Sequence, residues 1–407
     1  MTDLLLSAMT NPGARRLIRT LGLPLPLPEP LPRDRGPLAA MPLEDARVGV
    51  SGAPQAELLP IVATTLARAG GSAEVAHAEL LGPFREAGEA FGRPPSVESS
   101  KSVHALVFDA SSITTVNGLR ALYEFFHERV STLARGGRAV VLGRANVDGD
   151  VEAAAAQAAL IGFTKSLAKE VGRRGATANL ILVERGAEDR LEPVLRFFLE
   201  KRSAFVTAQP IVVSTRARAM SGGAFFVRPL DGKVVVVTGA ARGIGEAIAT
   251  RAAAEGAHVV CVDRPEEASA TSALARKIGG TALALDIGAD NAPAELVAAL
   301  GGRGADVIVH NAGITRDKTL ARMDAARWDQ TYLVNLGAVV RTTDALLARG
   351  ALRDGGRIIG LSSVAGIAGN VGQTNYAGSK AGVIGYVHAL AGRVASARGV
   401  RQGRRGR

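Results

Sequence analysis

A single cysteine, Cys261, stands in a chain of 407 residues. That scarcity excludes a disulfide scaffold and a cysteine-built metal centre, and it fits a reducing compartment; no metal is expected. Aromatic residues make up only 4%, and no reading helix or basic–aromatic alternation of a nucleic-acid binder takes their place. No apolar run approaches the ~20 residues that cross a bilayer. Met1–Thr10 lacks the basic start of a signal peptide, so a cytoplasmic protein without membrane contact is expected. The excess of positive charge is also less than it looks. The net charge is +11, but six arginines (393, 398, 401, 404, 405 and 407) fall within residues 381–407, which hold no acid. Without them +5 remains over 380 residues, a mild bias compatible with anionic substrates rather than nucleic acid.

What is present is ordinary globular composition, 47% apolar and 21% charged, in a length that suits two domains. Residues 21–37 (LGLPLPLPEPLPRDRGP) are proline-rich and predict an extended arm within 1–40. From Ala46–Ser51 onward, apolar strands alternate with alanine-rich helices, the pattern of an α/β fold on a parallel sheet. Further strands are expected at His104–Asp109, Arg138–Leu142, Asn179–Val183 and Pro210–Ser214. The pattern breaks over 215–232 (a linker) and restarts with KVVVVTG at Lys233. Two tandem Rossmann-like, doubly wound domains are therefore expected, over 41–214 and 233–400, with a basic tail at 401–407. They read as diverged copies: AALIGFTKSLAKEV (158–171) and AGVIGYVHALAGRV (381–394) agree at six of fourteen positions, and SSIT (111–114) mirrors AGIT (312–315).

The chemistry concentrates in the second copy. TGAARGIG (238–245) lies between a strand and an alanine-rich helix expected from about Glu246. There Gly239, Arg242, Gly243, Ile244 and Gly245 would bring backbone and a helix N-terminus to a pyrophosphate. The next strand, His258–Val262, ends at Asp263, whose carboxylate suits ribose hydroxyls and repels a 2′-phosphate. NADH is thus favoured over NADPH, with Arg264 softening the preference. Leu283–Leu285 leads to Asp286 and Ile287, placed to contact adenine. Asp306–Val309 leads to Asn311, Ala312 and Gly313, small enough for backbone to lie against the cofactor. Arg357–Leu361 leads to Ser363. Tyr376 and Lys380, four apart, share one helix face. An ammonium beside a phenol lowers a pKa that is otherwise near ~10, which suits the phenol to hand a proton to a reduced ketone. Ser363 would hydrogen-bond the carbonyl oxygen.

Through TGAARGIG, NAG (311–313), SSVAG (362–366) and YAGSK (376–380), residues 233–400 resemble the short-chain dehydrogenase/reductase superfamily. NAGITRDKTLARM (311–323), RWD (327–329) and GNVGQTNY (369–376) are similar to its 3-oxoacyl-thioester reductases, in the high-molecular-weight form with an extra N-terminal domain. The resemblance implies reduction of a 3-oxoacyl group on acyl carrier protein or coenzyme A. It also implies a homo-oligomer, with a dimer favoured, and a fourth catalytic residue, Asn335, that fixes a helix kink and a water leading to Lys380. Against the second copy, the first places Ala153 opposite Tyr376, Gln157 opposite Lys380, Arg144 opposite Ser363 and Ala110 opposite Asn311. SGAPQAE (51–57) replaces the glycine turn, so a packing, oligomerisation or partner-binding domain is expected there. Relatives continue beyond Gly399-Val400 with a strand, a Pro-Gly turn, a lid and a last strand, where this sequence reads RQGRRGR. A truncated second domain is expected, and with it two alternatives: an impaired homologue that only binds dinucleotide or a partner, or a reductase of another ketone.

Overall fold

The computed structural model describes residues 36–145, 147, 149–217 and 227–405, with residues 11, 13, 20, 29 and 31 ahead of them and no side chains for 395–405. Most of the proline-rich arm, the middle of the 215–232 linker and the side chains of the basic tail lie outside the described residues. Two compact units result, one holding Ala39–Phe226 and the other Val227–Arg407, to which Gly36–Leu38 is attached. The attachment is polar: the Leu38 amide donates to the Glu255 carboxylate at 3.1 Å.

The first unit runs β1 (Arg47–Gly52), α1 (Leu59–Arg68), β2 (Ser72–Val75), α2 (Leu81–Phe91), β3 (Val103–Asp109), α3 (Leu119–Arg129), β4 (Leu133–Arg144), α4 (Val151–Gly172), β5 (Thr177–Val183), α5 (Leu191–Leu199) and β6 (Pro210–Val213). Its sheet is wholly parallel in the order β2-β1-β3-β4-β5-β6. The inner strands β1, β3, β4 and β5 are largely buried on both faces, as a doubly covered parallel sheet requires, while the edge strand β6 is mostly exposed. Successive residues feed opposite cores: Val107, Val140 and Leu142 go to one, and Leu106, Phe108 and Val141 to the other.

The second unit runs β7 (Val234–Thr238), α6 (Gly243–Ala254), β8 (His258–Asp263), α7 (Ala268–Ile278), β9 (Thr281–Ala284), α8 (Ala292–Ala299), β10 (Ala305–His310), α9 (Ala325–Tyr332), α10 (Ala338–Ala348), β11 (Leu352–Gly360), α11 (Ala365–Ala368) and α12 (Thr374–Arg405). Its five parallel strands are ordered β9-β8-β7-β10-β11. The chain leaves β7 toward β8 on one side and returns to β10 on the other, so a crevice opens between β7 and β10 beyond their carboxyl ends. Val235, Val237 and Cys261 fill one face and Val236, Val260 and Ile308 the other.

The parallel α/β architecture is as the alternation predicts, with instructive differences. β2, a short strand of four residues, went unread because SAEV carries a charge in its middle. The counterpart of β9 in the first unit is reduced to a single parallel bridge, Glu74 to Ser96. Pro94 and Pro95 stand just before it and cannot donate to a ladder. Helix α6 begins at Gly243, three residues before Glu246, because glycine tolerates the φ of +62° at that entry. β9 ends at Ala284, so Asp286 sits on the turn beyond it. Among the described residues, no helix is long and apolar enough to cross a membrane.

Candidate active site

The turn after β7 is packed too closely for side chains. A Cβ on Gly245 would fall 2.0 Å from the Gly239 carbonyl oxygen, and one on Gly239, at φ +66°, would fall 2.9 Å from the Ala312 Cα. Asn311 ties the two neighbouring strand ends together. Its side-chain amide donates to the Thr238 and Gly239 carbonyls at 3.0 and 2.9 Å, while its backbone amide donates to the Thr238 hydroxyl at 3.1 Å. Asn311 thus fixes the glycine turn with its side chain and leaves Ala312 and Gly313 as bare backbone at the crevice. Arg242 occupies the N-cap of α6 and supplies no side-chain acceptor to its first turn, whose amides have no intrahelical partners. Ile244 is exposed on that turn.

Asp263 ends β8. One carboxylate oxygen accepts the Ala241 amide at 2.8 Å and the other the Arg264 amide at 2.9 Å. A carboxylate has about four acceptor positions, so both oxygens keep capacity for ligand hydroxyls. Asp286 is exposed and accepts the Gly288 amide at 2.9 Å, and Ile287 beside it is buried.

Asn335, Tyr376 and Lys380 are linked by short paths, and Ser363 follows Leu361, whose carbonyl holds Lys380, by two residues. Asn335 lies, fully buried, in a π-helical stretch, Leu333–Gly337, between α9 and α10. Its oxygen accepts the Ile314 amide at 2.8 Å, and its amide donates to the Ile314 carbonyl at 2.9 Å and the Ser379 hydroxyl at 3.1 Å. Ser379 in turn donates to the Tyr376 carbonyl at 2.8 Å. Lys380 is buried, which pulls its pKa below that of a free lysine. Its ammonium donates to the Leu361 carbonyl at 2.8 Å and lies 5.9 Å from the centre of the Tyr376 ring. Three donors on one ammonium leave two for other partners. A Cβ on Gly313 would stand 3.3 Å from both the Asn335 oxygen and the Lys380 nitrogen. The Ser363 hydroxyl accepts the Ala365 amide at 3.2 Å, which leaves its own hydrogen available to donate. Such a set can hold a carbonyl oxygen and pass it a proton.

Three supporting residues escaped the sequence reading. Asn375, fully buried, donates to the Arg316 and Arg327 carbonyls and to the Thr331 hydroxyl, and accepts the Tyr376 amide at 2.8 Å. It lies in GNVGQTNY, where only the position before Tyr376 signals it and the distant partners do not show in the sequence. Ser379 lies inside YAGSK, where its bond to Asn335, 44 positions away, has no local signal. His310, at the end of β10, shares a 2.9 Å hydrogen bond with the Thr343 hydroxyl.

Burial holds the His310 pKa down at about 4, against 6.5 when free. The unfolded chain therefore binds the extra proton between those values. The stability of this unit is complete above about pH 6.5 and is lost as pH falls toward 4, by about 3 kcal/mol from this residue. His310→Gln, which places an amide near the same hydroxyl without a titration, should flatten that part of the curve. Urea unfolding of both proteins across pH 4–7 checks this; identical pH slopes would refute it.

In the first unit the corresponding crevice is filled by the chain's own groups. The Asp109 carboxylate accepts the Leu58 amide at 2.7 Å and the Ser111 amide at 2.9 Å, and the Ser111 hydroxyl accepts the Glu57 amide. The N-terminus of α1 is thereby capped internally, and burial raises the Asp109 pKa. Arg144, buried at the end of β4, pairs with Glu57 and with Glu188 at 2.6 Å. Gln157 accepts the Arg144 amide at 2.8 Å and donates to the Ala110 and Ile113 carbonyls. Ala153 is buried on α4 where the second unit has its tyrosine.

A profile of the short chain dehydrogenase family matches residues 233–401. The 3-oxoacyl-[acyl-carrier-protein] reductase FabG of Vibrio cholerae is 42% identical over 173 residues, spanning 42% of this chain and 70% of that protein. The reductase FabG of Escherichia coli is 40% identical over 171 residues, 41% of this chain and 69% of its own. Nodulation protein G of a Rhizobium species is 42% identical over 173 residues, with shares of 41% and 69%. The chain belongs to the short-chain dehydrogenase family, a class of oxidoreductases, and within it is similar to 3-oxoacyl-[acyl-carrier-protein] reductases.

Proposed function

We propose that the second unit reduces a 3-oxoacyl thioester, carried on acyl carrier protein or coenzyme A, to the 3-hydroxyacyl thioester, with NADH favoured over NADPH. The observation that carries the reading is the Lys380 ammonium held 5.9 Å from the Tyr376 ring by a backbone carbonyl at the end of the sheet. The β7–β10 crevice fits a nicotinamide dinucleotide. The α6 N-terminus lacks a side-chain cap, Asp263 keeps acceptor positions for ribose hydroxyls, and Gly313 presents bare backbone beside Lys380. When bound, that cofactor would supply the hydride. The backbone of Gly239, Arg242, Gly243, Ile244 and Gly245 would hold its pyrophosphate end, Asp286 and Ile287 its adenine, and Asn311, Ala312 and Gly313 its central stretch.

The remaining steps belong to this chain. Ser363 donates a hydrogen bond to the substrate's 3-oxo oxygen, which strengthens as negative charge develops there. Tyr376 gives its hydroxyl proton to that oxygen. The Lys380 ammonium, one helical turn along, stabilises the resulting phenolate and offers its spare donors to the ribose. Asn335 keeps the π-helical stretch and the Ile314 backbone in place behind them. The 3-oxoacyl substrate and a homo-oligomer, a dimer favoured, rest on the likeness to the reductases. The first unit, with its crevice self-filled, is read as a packing or partner-binding domain that does not take dinucleotide in the usual manner.

Loss of NADH absorbance with acetoacetyl-coenzyme A tests the activity. Turnover is expected, several-fold more efficient with NADH than with NADPH. No turnover with either cofactor would overturn the reading, and equal turnover of simple ketones would overturn its thioester part.

A further inference from the structure

The Asp263 carboxylate accepts the amides of Ala241 and Arg264, which sets the side chains of Arg242 and Arg264 near the place where a 2′-phosphate would sit, and by charge alone they should welcome it. Tertiary structure brings an unread acid between them. Glu267 ends a single 3₁₀ turn, Pro265–Glu267, that leads into α7. Its carboxylate lies 2.9 Å from the Arg242 guanidinium and 3.8 Å from that of Arg264. The acid is held in place: its amide donates to the Arg264 carbonyl at 2.9 Å, and its own carbonyl accepts the Thr271 hydroxyl at 2.9 Å. Its side chain is 21% exposed, against 76% for Arg242 and 50% for Arg264, so the acid is the inner partner of both pairs.

We propose that Glu267 is a cofactor-specificity residue that enforces rejection of a 2′-phosphate by engaging Arg242 and Arg264. This rests on the dinucleotide reading of the crevice. Asp263 alone would repel a 2′-phosphate, yet two neighbouring cations would offset one carboxylate. With Glu267 present, two acids face two arginines, and a phosphate of nearly two negative charges finds both guanidinium groups already paired. A ribose 2′-hydroxyl needs only an acceptor, which Asp263 supplies, so the arrangement costs the unphosphorylated cofactor little. Mutation of Asp263 by itself is then an incomplete switch.

The test is equilibrium binding by calorimetry, using NAD+, NADP+, 5′-AMP and adenosine 2′,5′-bisphosphate with the full chain. Wild type should bind NAD+ and 5′-AMP more tightly than their 2′-phosphorylated counterparts. Glu267→Gln, which keeps the shape and removes the charge, should tighten NADP+ and the bisphosphate at least tenfold while moving NAD+ and 5′-AMP less than threefold. Adding Arg242→Ala to that variant should remove most of the gain. The proposal is overturned if Glu267→Gln shifts the phosphorylated ligands less than twofold, tightens both classes alike, or abolishes binding of 5′-AMP that wild type retains. If wild type binds none of the four, the dinucleotide reading itself fails, and this inference with it.

Discussion

Tyr376→Phe is expected to lower kcat for acetoacetyl-coenzyme A about 1,000-fold, within the ~10²–10⁴-fold range of general acid catalysis, while NAD+ binding stays within a few-fold of wild type. The substitution removes one oxygen and its proton. Carbonyl reduction then generates an alkoxide that Ser363 can hydrogen-bond but that has no acid placed to protonate it, because the Lys380 ammonium faces the ring and the Leu361 carbonyl. The ring should keep its place, since Asn375 and Ser379 hold the Tyr376 backbone rather than its hydroxyl. Steady-state assays with calorimetric binding in parallel separate the two effects. A rate that survives the loss of the hydroxyl would remove Tyr376 from the chemistry, whatever the family likeness suggests.

The largest expected effect on stability lies in the other unit. Arg138, on β4, is fully buried, and its guanidinium donates to four carbonyls: Glu200 at 3.0 Å, Gly136 at 2.7 Å, Gly137 at 3.0 Å and Lys201 at 3.0 Å. Burial draws its pKa down to about 10, so it remains charged at neutral pH. Arg138→Met fills a similar volume but leaves those carbonyls without their donors, two of them on the segment that follows α5. A cost of about 3–5 kcal/mol is expected, as for removing one side of a buried charged hydrogen-bond network. Urea unfolding followed through the first unit's transition measures it. A cost below about 1 kcal/mol would show that water or local rearrangement replaces the guanidinium.

The two expectations differ in how far the sequence anticipates them. Tyr376 and Lys380 are four apart on one helix, so their common face follows from helical geometry alone. Arg138 reads in the sequence as the start of a strand, where an arginine is ordinarily a solvated end residue. Its burial depends on the carbonyls of residues 200 and 201 arriving from more than sixty positions away. The same distinction separates Asp263 from Glu267. An acid at the end of a second apolar strand is a local pattern, whereas an acid four residues later matters only because the N-caps of α6 and α7 bring Arg242 and Glu267 together.

The first unit shows the limit of reading by analogy. Its apolar alternation announced a parallel α/β sheet, and the absent glycine turn and tyrosine were visible by comparison with the second half. The strand order was not visible. One residue pair, Glu74 and Ser96, stands where the second unit has all of β9. Nor could the sequence show that Asp109 caps α1 or that Arg144 lies between Glu57 and Glu188.

Short-range geometry accounts for what can be read locally: strands from apolar runs, the glycine turn between β7 and α6, and the Tyr376–Lys380 pair one helical turn apart. Which distant charges meet, among them Glu267 with Arg242, Arg144 with Glu57, and Arg138 with the chain after α5, follows from long-range packing. The order of strands in a sheet, and hence the neighbours at each strand's end, is set by packing both of its faces at once. No stretch of a few residues contains that information.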